Sequence, residues 1–352
     1  MRTIDGSYGE GGGQILRTAL SLSVCFGEPF RIANIRPRRS PPGLRPQHLA
    51  AVHAAAAISD AEVVGAAVAS QELTFTPKRA AFGDFEFSIG TAGSTTLVLQ
   101  TLLPSLITAP GPSTVLIEGG THNPKAPTYE FLACAFLPLV ERMGPTIRPE
   151  LIRAGFYPRG GGALRAEIVP ARSLAPLHLR ERGELRRVSV DVRLAKLPRH
   201  IGEREIAVLE KALPVKPDTV ELRFIEESLS PGNVVSIECE LENVTEVFTA
   251  VGERGVPAEK VANEAAQSFR RYWHSGAAVG EHLADQLLVP LALAGSGSFV
   301  TSHPTAHTLT NIEVVRQFID MDIRCTRVGD TERWLVTVGH HDERDGAGAH
   351  RP

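Results

Sequence analysis

Apolar residues recur at helical spacing directly after a glycine-rich stretch near the start of the chain. Residues 6–14, GSYGEGGGQ, lead into QILRTALSLSV, where one face carries Leu16, Leu20 and Val24. The opposite face carries polar residues, at Gln14, Arg17 and Ser21. Because this spacing matches the period of an amphipathic helix, the pattern predicts a glycine loop that opens into a helix.

Strand-like and helical stretches then alternate through the first half of the chain. RIANI, FEFSI and STVLIE are short apolar segments typical of strands, whereas PTYEFLACAFLPLVERMG, residues 127–144, has the length and composition of a helix. Such alternation favours sheets with helices packed on them. We therefore predict an α/β fold of the α+β type.

The character of the sequence changes near residue 180. A charged stretch, LHLRERGELRR, precedes the alternating VSVDVRL, a helical HIGEREIAVLEKAL, the strand-like TVELRFI and VVSIECEL, and a helical EKVANEAAQSF. We predict an inserted module at residues 181–273, with residues 1–180 and 274–340 forming the main body. Residues 341–352 lack apolar periodicity, so we expect a disordered tail there.

Composition narrows the class of protein. The chain has 352 residues, enough for a main body and a further module, each with its own core. Its four cysteines lie far apart without a C-x-x-C pair, which argues against a zinc knuckle and a secreted disulfide framework. We see no leader at the amino terminus and no apolar stretch of membrane-spanning length. We therefore expect a cytoplasmic protein without a membrane span; the oligomeric state is not indicated.

Charge is informative only locally. The formal net charge is -3, so contact with nucleic acid would need a local basic patch. Residues 31–53 supply one, because they contain five arginines and two histidines but no Asp or Glu. The ordinary interpretation of such a run is a solvated loop, and binding of an anionic ligand is the alternative.

The stretch TSHPTAHTLTN, residues 301–311, carries two histidines before NIEVVRQFID, whose apolar spacing predicts a helix that Thr310 would cap. His307 would then lie on a loop at the start of that helix. The positive end of a helix dipole disfavours the imidazolium and attracts anions, which suits a nucleophilic ring facing phosphate. A surface histidine is the commoner interpretation, and His303 fits it better.

A second polar group is predicted on residues 280–295, GEHLADQLLVPLALAG. Leu283, Leu287 and Leu291 share one helical face, and the other face carries polar residues, at His282, Asp285 and Gln286. This polar face suits the base and sugar of a nucleotide, although a solvent-facing stripe is the commoner explanation. Glu10, within GEGGG, is a carboxylate in a glycine loop, suited to a hard cation such as Mg²⁺.

The motifs together resemble the RNA 3'-terminal phosphate cyclase family from residue 3 to about residue 338. The stretches that carry the resemblance, in chain order, are DGSYGEGGGQILRTALSLS, RRSPPGLRPQHLAAV, GTAGSTTLVLQTLLP, GGTHNPKAPTYEFL, GFYPRGGG, PRHIGEREI, GEHLADQLLVPLALAG and HPTAHTLTNIEVV. The resemblance implies repeated units of a helix pair on a four-stranded sheet, like the C-terminal domain of translation initiation factor three. It also implies a smaller inserted α/β domain.

The resemblance further implies a ligase-type activity: ATP-dependent conversion of an RNA 3'-phosphate to a 2',3'-cyclic phosphate. His307 matches the family histidine that becomes adenylylated. Glu10 would help bind Mg²⁺ or Mn²⁺. The ATP-binding positions would be Gln100, His282, Leu283, Ala284, Asp285 and Gln286. The residues that meet the RNA terminal phosphates would be Arg17, Arg36, Arg39 and His48.

Three positions depart from the family pattern, and two other functions compete. His282 stands where close relatives commonly have Tyr, Ala306 where a Cys often precedes the histidine, and His122 where some members have Asp. One alternative is a noncatalytic, cyclase-like RNA-binding or ribosome-assembly protein, which would lack the adenylylated histidine. The other is the enolpyruvyl transferase class, which shares the repeated architecture but needs no nucleotide.

Overall fold

The computed structural model describes residues 1–339, and the predicted tail at 341–352 lies outside the described residues. Four four-stranded sheets occur within residues 1–339. Three of them share one chain order and one strand order, so the body consists of three repeated units. The fourth belongs to the segment that the sequence singled out as an insertion.

The first unit places two helices on a four-stranded sheet. Its elements are β1 (Arg2–Asp5), α1 (Gly13–Phe26), β2 (Phe30–Ala33), α2 (Pro46–Ala57), β3 (Glu62–Val64) and β4 (Leu73–Thr76). The strand order is β1-β2-β4-β3, with β1 parallel to β2 and the other pairs antiparallel. Leu16 and Leu20 of α1 are buried, as the apolar spacing predicts. The helix ends at Gly27, whose φ of 67° a residue with a Cβ adopts less readily.

The second unit repeats this arrangement. Its elements are β5 (Asp84–Ser88), α3 (Thr95–Leu106), β6 (Ser113–Gly119), a π-helical segment (Phe131–Phe136) continued by α4 (Leu137–Glu141), β7 (Thr146–Arg153) and β8 (Gly162–Val169). The strand order, β5-β6-β8-β7, matches the first unit. The helix expected at 127–144 is thus partly π-helical: the Leu137 N–H donates to the Leu132 carbonyl, and Pro138 has no N–H to continue a regular ladder.

The third unit begins with β9 (Leu177–Leu179) and is then interrupted by a separate sheet. The elements of the interruption are β10 (Leu185–Ala195), α5 (Arg199–Ala212), β11 (Thr219–Ile225), β12 (Gly232–Leu241), β13 (Thr245–Val251) and α6 (Ala258–Ser275). We call this segment the inserted module. Its strand order, β11-β10-β12-β13, differs from that of the repeated units. The boundary predicted at residue 273 falls within α6, two residues before that helix ends.

The third unit resumes after α6. Its remaining elements are α7 (Glu281–Ala294), β14 (Gly297–Thr301), α8 (Ala306–Phe318), β15 (Ile323–Arg327) and β16 (Trp334–Val338). β9 pairs parallel with β14 across the inserted module, and the order β15-β16-β14-β9 is that of the other units read from the opposite edge. The predicted repeats of a helix pair on a four-stranded sheet are therefore confirmed. The likeness to initiation factor three stays a prediction.

The inserted module is tied to the second unit by a buried polar cluster. Glu130, after β6, lies 3.0 Å from His122 Nε2 and accepts a hydrogen bond from Arg193 of β10. Arg193 also pairs with Asp191 at 2.7 Å. Burial raises the pKa of Glu130, but the opposing effects of His122 and Arg193 are together larger. The pKa is therefore lowered to about 2. The cluster is therefore a charged contact between the body and the inserted module.

The helices described in residues 1–339 include none long and apolar enough to cross a membrane. The four cysteines are all free thiols.

Candidate active site

Loops of the first and third units meet at one end of the molecule. The glycine loop that precedes α1 contacts the first turns of α8, since the Glu10 N–H donates to Thr310 Oγ1 at 3.2 Å. Gly9, with a φ of 51°, lies so close to Thr310 that a Cβ would stand 2.2 Å from Oγ1. Glycine is required there for both reasons. This contact brings residues from opposite ends of the chain into one site.

A cleft of about 920 Å³ opens from this junction. Its walls come from α1, α3, α7 and the start of α8 on one side, and from β13 and α6 of the inserted module on the other. The predicted site residues that line the cleft are Arg17, Gln100, His282, Asp285, Gln286 and His307. The cleft therefore collects the predicted nucleophile and the polar face of α7.

His307 lies in the first turn of α8, with its side chain 52% exposed. The helix begins at Ala306, and Thr305 caps it by accepting the Thr308 N–H at 3.2 Å. The prediction that Thr310 is the cap was wrong, because Thr310 lies within the helix and contacts Glu10 instead. His307 Nδ1 lies 2.7 Å from Oε1 of Gln14, and Gln14 Nε2 donates to Asp285.

His303 also lines the cleft, but its ring is held by its own loop. Its Nδ1 lies 2.9 Å from the Pro304 carbonyl oxygen, so the ring donates to its own loop. The ring also meets Trp334 edge to face, with 5.5 Å between the ring centroids. These contacts agree with the sequence interpretation of His303 as a residue with a local structural role.

The buried amide atoms in the cleft without a partner among the described residues include Gln100 Nε2, a donor, and Gln286 Oε1, an acceptor. A buried polar atom without a partner costs about 1–3 kcal/mol, so a bound ligand that supplies the missing partner gains affinity. His282, by contrast, is largely exposed at the rim. The donor and the acceptor suit a nucleobase or ribose.

Only part of the predicted ATP-binding segment, residues 282–286, faces the cleft. Leu283 and Ala284 are completely enclosed by the core, and their side chains do not reach the cleft. The Ala284 N–H is already bonded to the Gly280 carbonyl at 2.9 Å. Of this segment, only His282, Asp285 and Gln286 therefore line the cleft.

Burial shifts the pKa values of two charged residues that line the cleft. It raises the pKa of Asp285 to about 6, against the opposing effect of His307, Gln14 and Arg17. It also lowers the pKa of Arg17 to about 10, against the opposing effect of Asp285 and Glu10. Arg17 thus stays cationic at neutral pH, which suits an anionic ligand.

His48 differs from the cation that its place in the basic stretch suggested. The ring is 3% exposed, and its Nδ1 accepts the Arg45 N–H at 3.1 Å. Burial, with Arg17, Arg36 and Arg45 nearby, lowers the pKa of His48 to about 3. The neutral ring therefore carries its proton on Nε2 and serves as a hydrogen-bond donor.

The donors of this basic group converge beside Gly13, where a Cβ would stand 2.6 Å from His48 Nε2 and 2.9 Å from an Arg17 terminal nitrogen. Arg36, with a φ of 52°, donates to the Gly43 carbonyl at 2.7 Å. Arg39 pairs with Glu10. The four predicted phosphate-binding residues thus lie around the glycine loop, two on its α1 side and two near Glu10.

Glu10 is the residue predicted to bind metal. Oε1 accepts from Arg39, whereas Oε2 is buried without a hydrogen bond and lies 3.7 Å from His307 Nδ1. Within residues 1–339 no group of three or more His, Cys, Asp or Glu side chains converges as a metal site. A single carboxylate still fits Mg²⁺, which takes most of its ligands from water and phosphate.

The sequence interpretation missed Gln14 and Asn311 as parts of the site. Asn311 donates to the Asp285 carbonyl at 2.9 Å and accepts from Thr18 Oγ1 at 2.7 Å. Gln14 lies on the polar stripe of α1 that the apolar spacing already separated from the core. For Asn311 there was no local signal, since its partners are distant in sequence.

The repeated units and the histidine beside a polar cleft define the class of protein: an α/β enzyme assembled from repeats rather than a small binding module. A family model described as RNA 3'-terminal phosphate cyclase matches residues 8–325. Over 339 residues the chain is 50% identical to an RNA 3'-terminal phosphate cyclase of Koribacter versatilis (strain Ellin345), covering 95% of this chain and 96% of the relative.

Two further relatives carry the same name. The protein of Ectopseudomonas mendocina (strain ymp) is 50% identical over 327 residues, which is 93% of this chain and 95% of the relative. That of Salmonella agona (strain SL483) is 50% identical over 334 residues, with 95% and 96% covered. The chain belongs to the RNA 3'-terminal phosphate cyclase family, a family of enzymes. The enolpyruvyl transferase alternative has no support from these matches.

Proposed function

We propose that the protein uses ATP to convert an RNA 3'-terminal phosphate to a 2',3'-cyclic phosphate, through a covalent His307–AMP intermediate and an RNA-(3')pp(5')A intermediate. AMP and pyrophosphate are the other products. The observation that carries the proposal is the setting of His307: a half-exposed imidazole in the first turn of a helix, at the edge of a cleft lined with polar groups. A helix start favours phosphate groups next to that ring.

ATP is proposed to lie in the cleft with its base and ribose toward α7. The unpartnered Gln100 Nε2 and Gln286 Oε1 support this orientation, as does the exposed ring of His282 at the rim. Glu10 would hold Mg²⁺ or Mn²⁺ through its unpartnered Oε2. A divalent cation at that carboxylate supplies neutralisation of the triphosphate.

The RNA end is proposed to lie along the basic residues around the glycine loop. Arg17 and His48 supply donors beside Gly13, and Arg36 and Arg39 lie on the outer side. Phosphate contacts orient a nucleic acid without reading its bases. We therefore expect little dependence on RNA sequence.

The order of steps follows from leaving-group chemistry. A ring nitrogen of His307 forms a bond to the α-phosphorus of ATP as the bond to pyrophosphate breaks. A terminal oxygen of the RNA 3'-phosphate then takes the AMP from the histidine, and the electron pair returns to the ring. The 2'-hydroxyl finally attacks the activated phosphorus, loses its proton and expels AMP. Because the hydroxyl is already adjacent, effective molarities of about 10⁵–10⁸ M assist ring closure.

The test is to incubate the protein with α-³²P-labelled ATP and Mg²⁺, beside a His307→Ala variant. Acid-labile, base-stable label on the parent alone is expected, and RNA with a 3'-phosphate should release the label as AMP while the RNA end becomes cyclic. RNA with a 3'-hydroxyl is the matched substrate control. Label on the variant would overturn the assignment of His307, and no label on either protein would favour the noncatalytic RNA-binding alternative.

A further inference from the structure

Gln14 connects two residues of the proposed site. It lies in the first turn of α1, is largely buried, and stands between His307 of α8 and Asp285 of α7. Its Oε1 is 2.7 Å from His307 Nδ1, and its Nε2 donates to Oδ1 of Asp285. The three side chains form one chain of hydrogen bonds from α7 to α8.

The donor and acceptor roles in this chain follow from Asp285. An ionised carboxylate only accepts hydrogen bonds, so the amide must turn its NH₂ group toward Asp285 and its carbonyl oxygen toward His307. That oxygen has no proton, and therefore His307 Nδ1 must supply one. An imidazole with a proton on Nδ1 and none on Nε2 has its free electron pair on Nε2.

The backbone of Asp285, the residue that orients the amide, is held by buried side chains. Asn311 donates to the backbone carbonyl of Asp285 at 2.9 Å, and Thr18 donates to Asn311 at 2.7 Å. Both Asn311 and Thr18 are buried. The amide of Gln14 therefore meets a fixed acceptor.

We propose that Gln14 is a positioning residue that holds His307 in the Nδ1–H form, so that Nε2 is the nitrogen that attacks. This inference rests on the proposed role of His307 as nucleophile. As the Nε2–phosphorus bond forms and the bond to pyrophosphate breaks, Nε2 has no proton to lose. Nδ1 keeps its own proton and donates it in a hydrogen bond to Oε1 of Gln14. The bond between Nε2 and phosphorus breaks in the next step, which restores the starting form.

A neutral amide suits this task better than a carboxylate. A carboxylate in contact with Nδ1 favours the imidazolium, in which Nε2 is protonated and cannot attack. Glu10 Oε2 lies 3.7 Å from Nδ1, beyond hydrogen-bond distance, and Oε1 of the same carboxylate accepts from Arg39. The amide fixes the position of the proton without adding charge to the ring.

The first measurement is spectroscopic and does not depend on activity. Long-range ¹H–¹⁵N correlation spectra of protein labelled with [¹⁵N]histidine report which ring nitrogen carries the proton, and the His307→Ala spectrum assigns the signal. We expect the Nδ1–H form in the parent. Gln14→Met, similar in length but without an acceptor, should shift the signal toward a mixture of both forms. A parent ring with its proton on Nε2 would overturn the proposal, whether or not the protein takes up AMP.

The second measurement is the rate of label transfer from ATP at saturating concentration. Gln14→Met should lose about tenfold, the effect of one neutral hydrogen bond, with the ATP concentration at half-saturation little changed. Gln317→Met is the matched control, because Gln317 is exposed on α8, and it should keep the parent rate. A Gln14→Met protein with the parent spectrum and rate would contradict the inference, whereas an unlabelled parent with the Nδ1–H spectrum would contradict only the proposed nucleophile.

Discussion

Glu246 offers a prediction that needs no substrate. It lies on β13 of the inserted module with 2% of its surface exposed, and its Oε1 accepts the Gly280 N–H at 2.6 Å, directly before α7. The inserted module therefore contacts Gly280, the residue directly before α7. α7 is the helix that carries the polar residues of the cleft. We consider Glu246→Gln, which removes the ionisable proton but keeps a carbonyl oxygen to accept that N–H.

The expected magnitude follows from proton linkage. Burial raises the pKa of Glu246 to about 8 from an ordinary value of 4.5. Between these values the unfolded chain is ionised while the folded protein holds the proton, so parent stability falls as pH rises. The slope is about 1.4 kcal/mol per pH unit. The stability advantage of Glu246→Gln over the parent should therefore widen by roughly 4 kcal/mol between pH 5 and pH 8, and then level off.

The assay is urea denaturation at several pH values across that range, followed by tryptophan fluorescence. The chain has two tryptophans, and Trp273 of α6 lies in the aromatic cluster of the inserted module, 5.9 Å from Phe269 between ring centroids. Glu210→Gln, exposed on α5, is the matched control and should track the parent. A constant difference between Glu246→Gln and the parent from pH 5 to pH 8 would refute the reasoning.

Three further predictions concern the cap, the glycine loop and the contact between modules. Thr305→Ala should lower the stability by about 1 kcal/mol through loss of the N-cap, and Thr305→Ser should restore it, as thermal midpoints will report. Gly13→Ala should weaken binding of a 3'-phosphorylated RNA by about tenfold, because its Cβ would displace His48; unchanged affinity in filter binding would argue against that role. Glu130→Ala should destabilise the protein by about 3 kcal/mol, since it removes the buried carboxylate shared by His122 and Arg193, and equal urea midpoints would contradict this.

Elements with a strong apolar stripe were predictable. The helix after the glycine loop and the helix at 281–294 have buried apolar residues at each predicted position. The start of α8 was not predictable, because the apolar residues at helical spacing, Ile312, Val315 and Phe318, lie only in its later turns. Its first turn is polar and partly exposed, so apolar periodicity carries no signal there, and the cap at Thr305 competes with an equally suitable Thr310.

Properties set by burial and by distant contacts escaped the sequence. A histidine in an arginine-rich stretch looks cationic, yet His48 is neutral because its ring is enclosed among positive charges. The likeness to a family motif placed Leu283 and Ala284 in the predicted ATP-binding set, but it gave no signal that both side chains pack in the core. Gln14 was visible as a polar position, but its partner on α8 lies 293 residues away.

The 293 residues that separate Gln14 from His307 determine when, during synthesis of the chain, the site can form. Ribosomes make the chain from the first unit onward, so the arginines around the glycine loop emerge long before α8 does. A chain that stops before residue 306 lacks both the imidazole and the helix that packs against α1. Prematurely ended products are therefore expected to carry the arginines around the glycine loop without the proposed nucleophile, so the proposed site is complete only after α8 has been made.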